Sequence, residues 1–500
     1  MPAALRESMI SMSAERALTA AVAVASRGIG GVMERLKPMD AQFIDAENED
    51  RNASFAIASI AIFEAPAPSY DEFYAAIKGR LALVPIYRRK LREVPLRLGP
   101  PVWVDDPSFD LAYHLRQTAL PAPGSDEQLA RVIARVMAQR LDRHFPLWEY
   151  WLVEGLAEGR WALISKVHHC MVDGISGTDL YRVIFDLTPE PAPPTVDTRT
   201  VPAEPSTLAI AASAAVDMVA RPAKGAAALA GALTRPRDTI RQASQTARAV
   251  ARLAGSALPA TGSSLSGPIS RQRRYAWARA SLDDVKRIKQ ELGGTVNDVV
   301  LAAISSGFRG LLLSRGEEPA PHMVPSLIPV SLRAPGEENL YDNRVSVLLA
   351  DLPVHLADPV ERLAAIRAEM SDLKAIKEAS AAEALVTLGR YTPFPLASLT
   401  VRLAYRLPQR EIATVTTNVP GPQQPLYGLG RRLIEIIPYV PIATSLRTGV
   451  SIFTYCGQMT FGITADYATN PDIDVLARGI EKGVRELTKA AKRRRAGDAA

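Results

Sequence analysis

Hydrophobic side chains recur along this 500-residue chain at spacings of two and of roughly 3.6 residues, and the way the two alternate predicts an α/β fold. In residues 35–188, SFAIASIAIFE (54–64) has the mostly apolar alternation of a strand, YDEFYAAIKGRLALV (70–84) has helical spacing, and RWALISKV (160–167) has the composition of a buried strand. SDEQLARVIARVMAQRL (125–141) is helical too, with Ser125 and Gln128 placed as a capping box requires. The pattern lapses over 189–265. There PEPAPPTVDTRTVPAEPS reads as a linker, and the Ala-rich basic stretch that follows reads as helices broken at Pro222 and Pro236.

Mixed spacing returns over 266–488. SLDDVKRIKQELGG and TVNDVVLAAISSGFRGLLLSRG are helical, while VPSLIPVSL, VSVLLADLPV, IATVTTNVP and GVSIFTYCGQMTFGITAD have strand character. DVLARGIEKGVRELTKAAKRRR closes the chain as a helix with a basic end. The expected organisation is an N-terminal extension (1–34), an α/β half (35–188), a long and partly helical crossover (189–265), a second α/β half (266–488) and a basic tail (489–500). No short-period repeat is visible, which excludes solenoids and propellers.

One stretch concentrates chemistry. KVHHCMVDGISG (166–177) holds two of the six histidines side by side, with Asp173 and Gly174 following. RWALISKV should end as a strand at this point, with Gly174 and Gly177 marking the turn, so the side chains of His168 and His169 point to opposite sides. One histidine can then face a cavity while the other packs behind it, which suits a single base with a structural partner. Three other readings stand beside it. A metal site would need further ligands at fixed offsets, and His114, His144, His322 and His355 are scattered. Cys170 is a nucleophile candidate beside two imidazoles, although no GxSxG elbow exists anywhere in the chain. The pair could also be two satisfied core histidines.

Composition narrows the setting. Apolar residues make up 47% of the chain and charged ones 22%, which places it among folded proteins and not disordered or fibrous ones. The net charge of +6 favours anionic partners without choosing among phosphates, anionic lipid and nucleic acid. Two cysteines, Cys170 and Cys456, offer no disulfide framework and fit a reducing compartment. No stretch reaches the roughly 18–20 uncharged apolar residues of a membrane span, and Glu7 and Glu15 interrupt the basic leader that a signal peptide would need. Nucleic-acid binding lacks every recognised motif.

HHCMVDG (168–174) matches the HHxxxDG motif of acyltransferases related to chloramphenicol acetyltransferase and to condensation domains. LKPMDAQFIDAE, VPIYRRKLREVP, PLWEYWLVEGL, SGPISRQRRYAWARASL, GGTVNDVVLAAISSGFRGLL, IPVSLRAP and TTNVPGPQQPLYGLG flank it in this order along the chain, and together they resemble the bacterial wax ester synthase/diacylglycerol acyltransferase family over about residues 35–488. The resemblance implies two chloramphenicol-acetyltransferase-like subdomains forming a pseudo-dimer, with the His169 loop at their interface. It implies acyl-CoA as donor, diacylglycerol or a long-chain alcohol as acceptor, and no cofactor or metal.

In that family the second histidine is the general base, which is His169 here; His168 supports the site, and Asp173 is a structural anchor paired with Arg88 or Arg89. Gly174 completes the motif. Asn297 and Asp298 match a paired Asn-Asp signature at a helix start, where Asn297 orients substrate or polarises the carbonyl and Asp298 either shares that role or only caps the helix. Pro146–Trp148 and Asn418–Pro422 are expected as scaffold. The expected location is cytoplasmic, with a peripheral contact at the inner membrane or lipid inclusions as one option. For the crossover helices, whose Arg241, Arg248 and Arg252 interleave with apolar residues, packing on the body is preferred to that membrane contact. The alternatives are another HHxxxDG acyltransferase acting on a different hydroxyl or an amine, and a weakly active lipid-binding relative. Acceptor preference, acyl chain length, oligomeric state and the true start of the chain are not legible in the sequence.

Overall fold

A computed structural model describes residues 34–174, 183–195, 200–216, 263–331, 345–377 and 412–498. In chain order its main elements are α1 (Pro38–Glu49), β1 (Ala56–Phe63), α2 (Tyr70–Arg80), β2 (Arg89–Arg92), β3 (Val102–Asp105), α3 (Leu111–His114), β4 (Leu115–Ala119), α4 (Asp126–Ala138), β5 (Trp148–Glu154) and β6 (Trp161–His168). A short helix α5 (Thr207–Val216) precedes β7 (Arg273–Ser281), α6 (Leu282–Leu292), α7 (Val296–Ser314), β8 (Pro325–Ser331), β9 (Val345–Asp351) and α8 (Pro359–Lys377). Then come β10 (Thr414–Val419), β11 (Tyr427–Gly428), β12 (Arg431–Tyr439), β13 (Thr448–Tyr455), β14 (Gln458–Asp466) and α9 (Ile473–Asp498).

Two six-stranded sheets form the body, ordered β11-β12-β1-β6-β5-β4 and β7-β14-β13-β10-β8-β9, with β2 and β3 making a separate ribbon. The expected two-half α/β fold is present. The continuously apolar runs became central strands: every residue of β6 and of β13 is buried, because each strand has a neighbour on both edges and cover on both faces. GVSIFTYCGQMTFGITAD is two strands. Cys456 and Gly457 both have positive φ (45° and 79°) and close a two-residue hairpin with Tyr455 opposite Gln458. The capping box of α4 is formed, with the Ser125 N–H donating to Gln128 Oε1 at 2.7 Å. Helix α7 is mostly apolar because α6, α8 and α9 pack around it, and about two thirds of it is buried.

Among the strands the hydrophobic pattern did not predict, β12 matters most to the assembly of the two halves. RRLIEIIPY leaves the C-terminal half and pairs antiparallel with β1, Ala58 opposite Tyr439 and Ile60 opposite Ile437, so it completes the sheet of the N-terminal half. Its polar residue Glu435 broke the apolar pattern, and the structure gives the reason for that residue. Glu435 is buried and accepts Arg279 Nε at 2.9 Å, Arg279 Nη2 at 2.8 Å and Thr460 Oγ1 at 2.8 Å. Arg279, on β7, also reaches Asp126 at the start of α4 (3.0 Å). One ion-pair cluster thus ties β7, β12 and α4 together across the seam. The crossover segment around Arg241, Arg248 and Arg252 lies outside the described residues.

Close to that cluster the carbonyl of Pro438 accepts hydrogen bonds from Tyr275 Oη (2.6 Å) and Ser451 Oγ (2.8 Å). It also presses on Gly462 of β14, where a Cβ would stand only 1.8 Å from the Pro438 oxygen. Gly462→Ala should therefore push the two sheets apart. The expected loss is about 1–3 kcal/mol, the range for overpacking a close contact, measured as a lower urea midpoint; an unchanged midpoint would show that the sheets separate freely here.

Candidate active site

Strand β6 ends at His168, opposite Ala56 of β1. The Leu147 carbonyl accepts the His168 N–H at 2.9 Å, and the Phe55 carbonyl accepts the His169 N–H at 2.9 Å. From His169 the chain coils into a 3₁₀ turn through Gly174. Both rings meet α1, His168 at Glu47 and His169 at Phe43 one helical turn before it. His168 is 2% exposed, whereas His169 is half-buried, its ring 4.2 Å from the ring of Phe43 on α1.

His168 is held from both ring nitrogens. Its Nδ1 accepts the Cys170 backbone N–H (3.2 Å) and lies 3.0 Å from Cys170 Sγ, so a neutral ring carries its proton on Nε2. Nε2 faces the buried carboxylate of Glu47, 3.3 Å from Oε1, off the line of a well-formed hydrogen bond. Glu47 also accepts the Phe55 N–H at 2.7 Å and Arg143 Nη2 at 2.9 Å. Burial opposes the ionisation of Glu47, yet His168, the Phe55 amide and Arg143 outweigh it and hold the carboxyl at about 2. Glu47 is therefore an anion at neutral pH, and His168 is fixed in tautomer and orientation against it.

Cys170 is buried, and burial raises its thiol well above the usual value, so at neutral pH it is a protonated SH packed on His168 and not a thiolate. Cys170 lies on the His168 side, although the backbone between them has left strand geometry. Burial likewise pulls Lys166 down to about 8. Lys166 points the same way as His168 and donates to the carbonyls of Val136 (2.9 Å) and Gln139 (2.7 Å), closing the C-terminal end of α4.

The side chains of Asp173 and Gly174 lie outside the described residues. Of the two arginines expected to meet Asp173, Arg89 is ion-paired to Glu34 at 2.7 Å and lies 3.7 Å from Asp105, while the Arg88 guanidinium lies over the Phe109 ring at 5.6 Å. Asp298 caps α7, its Oδ2 accepting the Thr295 N–H at 2.7 Å and its own N–H donating to Thr295 Oγ1 at 3.2 Å. No hydrogen bond or ion pair joins Asn297 or Asp298 to the histidine segment among the described residues.

Both scaffold expectations have a physical basis. Trp148 stacks on Tyr87 (4.5 Å) and on His114 (4.5 Å), which fixes the segment whose Leu147 carbonyl anchors His168. Gly421 donates its N–H to Thr454 Oγ1 at 3.0 Å, pinning the end of β10 to β13. The histidines outside the pair are spread through the structure: His114 is buried against Trp148, His144 pairs with Asp142 and His322 with Asp351.

Glu47 and Arg143 were missed as site residues. Glu47 closes LKPMDAQFIDAE, and a signal was present: Ala41, Ile44 and Glu47 share one buried face of α1, where a carboxylate is out of place unless something pairs with it. Because its folded carboxyl titrates near 2 and its ordinary value is 4.5, Glu47 contributes stability that is complete above pH 4.5 and fades as pH falls toward 2. Glu47→Gln should cost about 3 kcal/mol at pH 7, measured by urea unfolding. The gap to wild type should close between pH 4.5 and 2; a gap independent of pH would show that the charge is not what holds the site.

Known proteins resemble this chain over most of its length. The wax ester synthase/diacylglycerol acyltransferase catalytic domain matches residues 36–300 and the WS/DGAT C-terminal domain matches residues 341–488. A Mycobacterium tuberculosis protein named as a probable diacylglycerol O-acyltransferase, tgs1, is 38% identical over 475 residues, covering 93% of this chain and 97% of its own. The structure of the wax ester synthase/diacylglycerol acyltransferase from Marinobacter aquaeolei VT8 superposes with a TM-score of 0.64 at 25% identity, over 92% of this chain and all of that one. The first condensation domain of the calcium-dependent antibiotic synthetase shares the fold alone, with a TM-score of 0.57 at 17% identity over 92% of this chain and 97% of its own. The chain belongs to the wax ester synthase/diacylglycerol acyltransferase family of acyltransferases.

Proposed function

We propose that the protein moves a fatty acyl group from acyl-CoA to the free hydroxyl of diacylglycerol, making triacylglycerol, and also to long-chain alcohols, making wax esters, with His169 as the general base. The observation that carries this reading is the unequal treatment of two adjacent imidazoles. His168 is fully buried against Glu47 and Cys170, whereas His169 is only half-buried, its ring against Phe43.

In the proposed reaction His169 takes the proton of the acceptor hydroxyl as its oxygen bonds to the thioester carbonyl carbon. The tetrahedral adduct then collapses, the carbon–sulfur bond breaks, and the departing thiolate takes the proton back from the imidazolium. Holding both substrates together replaces a covalent intermediate. No cofactor enters, because the thioester itself supplies the driving force. The protein would work in the cytoplasm at the surface of the inner membrane or of lipid inclusions, supported by the apolar character of its acceptor; fractionation with the membrane or inclusion layer tests this.

The assay is thiol release from palmitoyl-CoA with diacylglycerol, with hexadecanol and with no acceptor. Release only with diacylglycerol or hexadecanol is expected; release without acceptor, or none with either, rejects the reading. His169→Ala should lose about 10²–10⁴-fold in rate while remaining folded, and His168→Ala should lose less rate and more stability. Reversal of that order would assign the base to His168. Since Cys170 is a buried thiol, initial-rate kinetics should show a ternary complex and Cys170→Ala should retain most activity. A loss as deep as that of His169→Ala, or an acylated Cys170 peptide after mixing with palmitoyl-CoA alone, would instead establish a thioester intermediate.

A further inference from the structure

A cleft of about 940 Å³ runs along the seam between the halves, with α4 as one wall and the start of β7 as the other. Ala130, Ala134 and Ala138, one helical turn apart, give α4 a shallow face toward it. Eight arginines line the cleft against three carboxylates, Asp126, Glu127 and Asp474. Its excess of five positive charges nearly equals that of the whole chain, +6.

Among the described residues Arg279 is the one of these arginines within 4.0 Å of a carboxylate, pairing with Glu435 and Asp126, while Glu47 and Asp50 act on Arg140, Glu127 on Arg131 and Asp472 on Arg274 from farther away. Arg273, 4% exposed, donates to the carbonyls of Ser270, Gln272 and Asn52 and also bonds the Tyr439 hydroxyl. Arg140 donates to the carbonyls of Ala53 and Asp50, and Arg274 to that of Tyr467. Carbonyl contacts orient a guanidinium but leave its charge uncompensated. Arg51, Arg131, Arg135 and Arg271 stand exposed on the same walls. No carboxylate lies within 4.0 Å of these seven among the described residues. Arginines clustered without partners repel one another unless an anion lies among them.

One end of the cleft lies at Asn52, Ala53 and Gln139, two residues from Phe55, whose carbonyl holds the His169 amide. The other end, at Asp126 and Arg279, is about 18 Å away along α4, taking 1.5 Å per residue. A cleft walled by a helix and a strand fits a soluble polyanion with an extended arm better than it fits a flat lipid surface.

We propose that this cleft binds the diphosphate and 3′-phosphate of a coenzyme A thioester, with Arg131, Arg135 and Arg271 as phosphate contacts and the pantetheine arm directed past Ala53 toward His169. This rests on the proposed use of acyl-CoA and assigns where its nucleotide lies.

The test compares wild type with Arg131→Gln/Arg135→Gln, two exposed positions whose change should leave the fold intact, using palmitoyl-CoA and palmitoyl-pantetheine as donors. The KM for palmitoyl-CoA should rise about tenfold or more with kcat within about twofold, while the KM for palmitoyl-pantetheine moves less than about twofold. Arg131→Lys/Arg135→Lys should recover most of the loss. An unchanged KM for palmitoyl-CoA, or equal rises for both donors, overturns the assignment. If wild type transfers nothing from palmitoyl-CoA, the functional reading fails, and calorimetry with coenzyme A alone still decides on the cleft: binding in wild type that the variant loses supports it, and no binding overturns it. Loss of binding to phosphatidylglycerol vesicles with palmitoyl-CoA kinetics intact would make the cleft a lipid contact and also overturn it.

Discussion

Strand β1 has one edge paired to β6 within its own half and a second edge that nothing in the N-terminal half covers. A strand buried in a core cannot leave a row of backbone donors and acceptors unmet. Strand β12, more than 360 residues further along the chain, fills that edge. Much of the remaining structure depends on this pairing. It places the C-terminal half against the sheet that carries His168 and His169, and it carries Glu435 into the seam, where Arg279 and Asp126 close on it. The Pro438 carbonyl on the same strand meets Tyr275, Ser451 and Gly462 of the second sheet. The arginine-lined cleft is the space left where α4 and β7 meet beside this joint.

At the end of β6 a similar economy operates on a smaller scale. A strand end presents adjacent residues to opposite environments, so a His-His pair there divides into a buried ring and a partly open one without further machinery. The buried ring would be costly if left alone. Glu47 and Arg143 convert it into a compensated charge cluster, and the Phe55 amide joins in by donating to Glu47. Phe55 also accepts from the His169 amide, so the same residue braces both histidines. The rigidity of the pair comes from α1 and the segment after it, not from the motif itself.

The uneven legibility of the sequence follows from the range of the interactions involved. Strand and helix character could be read wherever burial was uniform: β6 and β13 are apolar on both faces, and α4 announces its start through Ser125 and Gln128. The pattern failed for β12, β5 and β7, because Glu435, Glu149 and Arg279 interrupt them for reasons of cross-strand and cross-seam pairing that periodicity does not encode. Asn297 and Asp298 illustrate the converse. A helix-start signature was evident, and the local capping contacts of Asp298 account for its side chain, while the neighbourhood of Asn297 could not be derived from spacing.

By itself, then, the sequence determined the two-half α/β organisation, the place of the His168–His169 pair at a strand end, and the capped helices, since each follows from contacts between residues a few positions apart. Tertiary structure alone decided that a strand from the second half would complete the first sheet, that Glu47 would be the carboxylate behind His168, and that arginines from positions 51, 131–140 and 271–274 would share one cleft. These joins depend on which unsatisfied edges and charges meet across hundreds of residues, and neither hydrophobic period nor local motif carries that information.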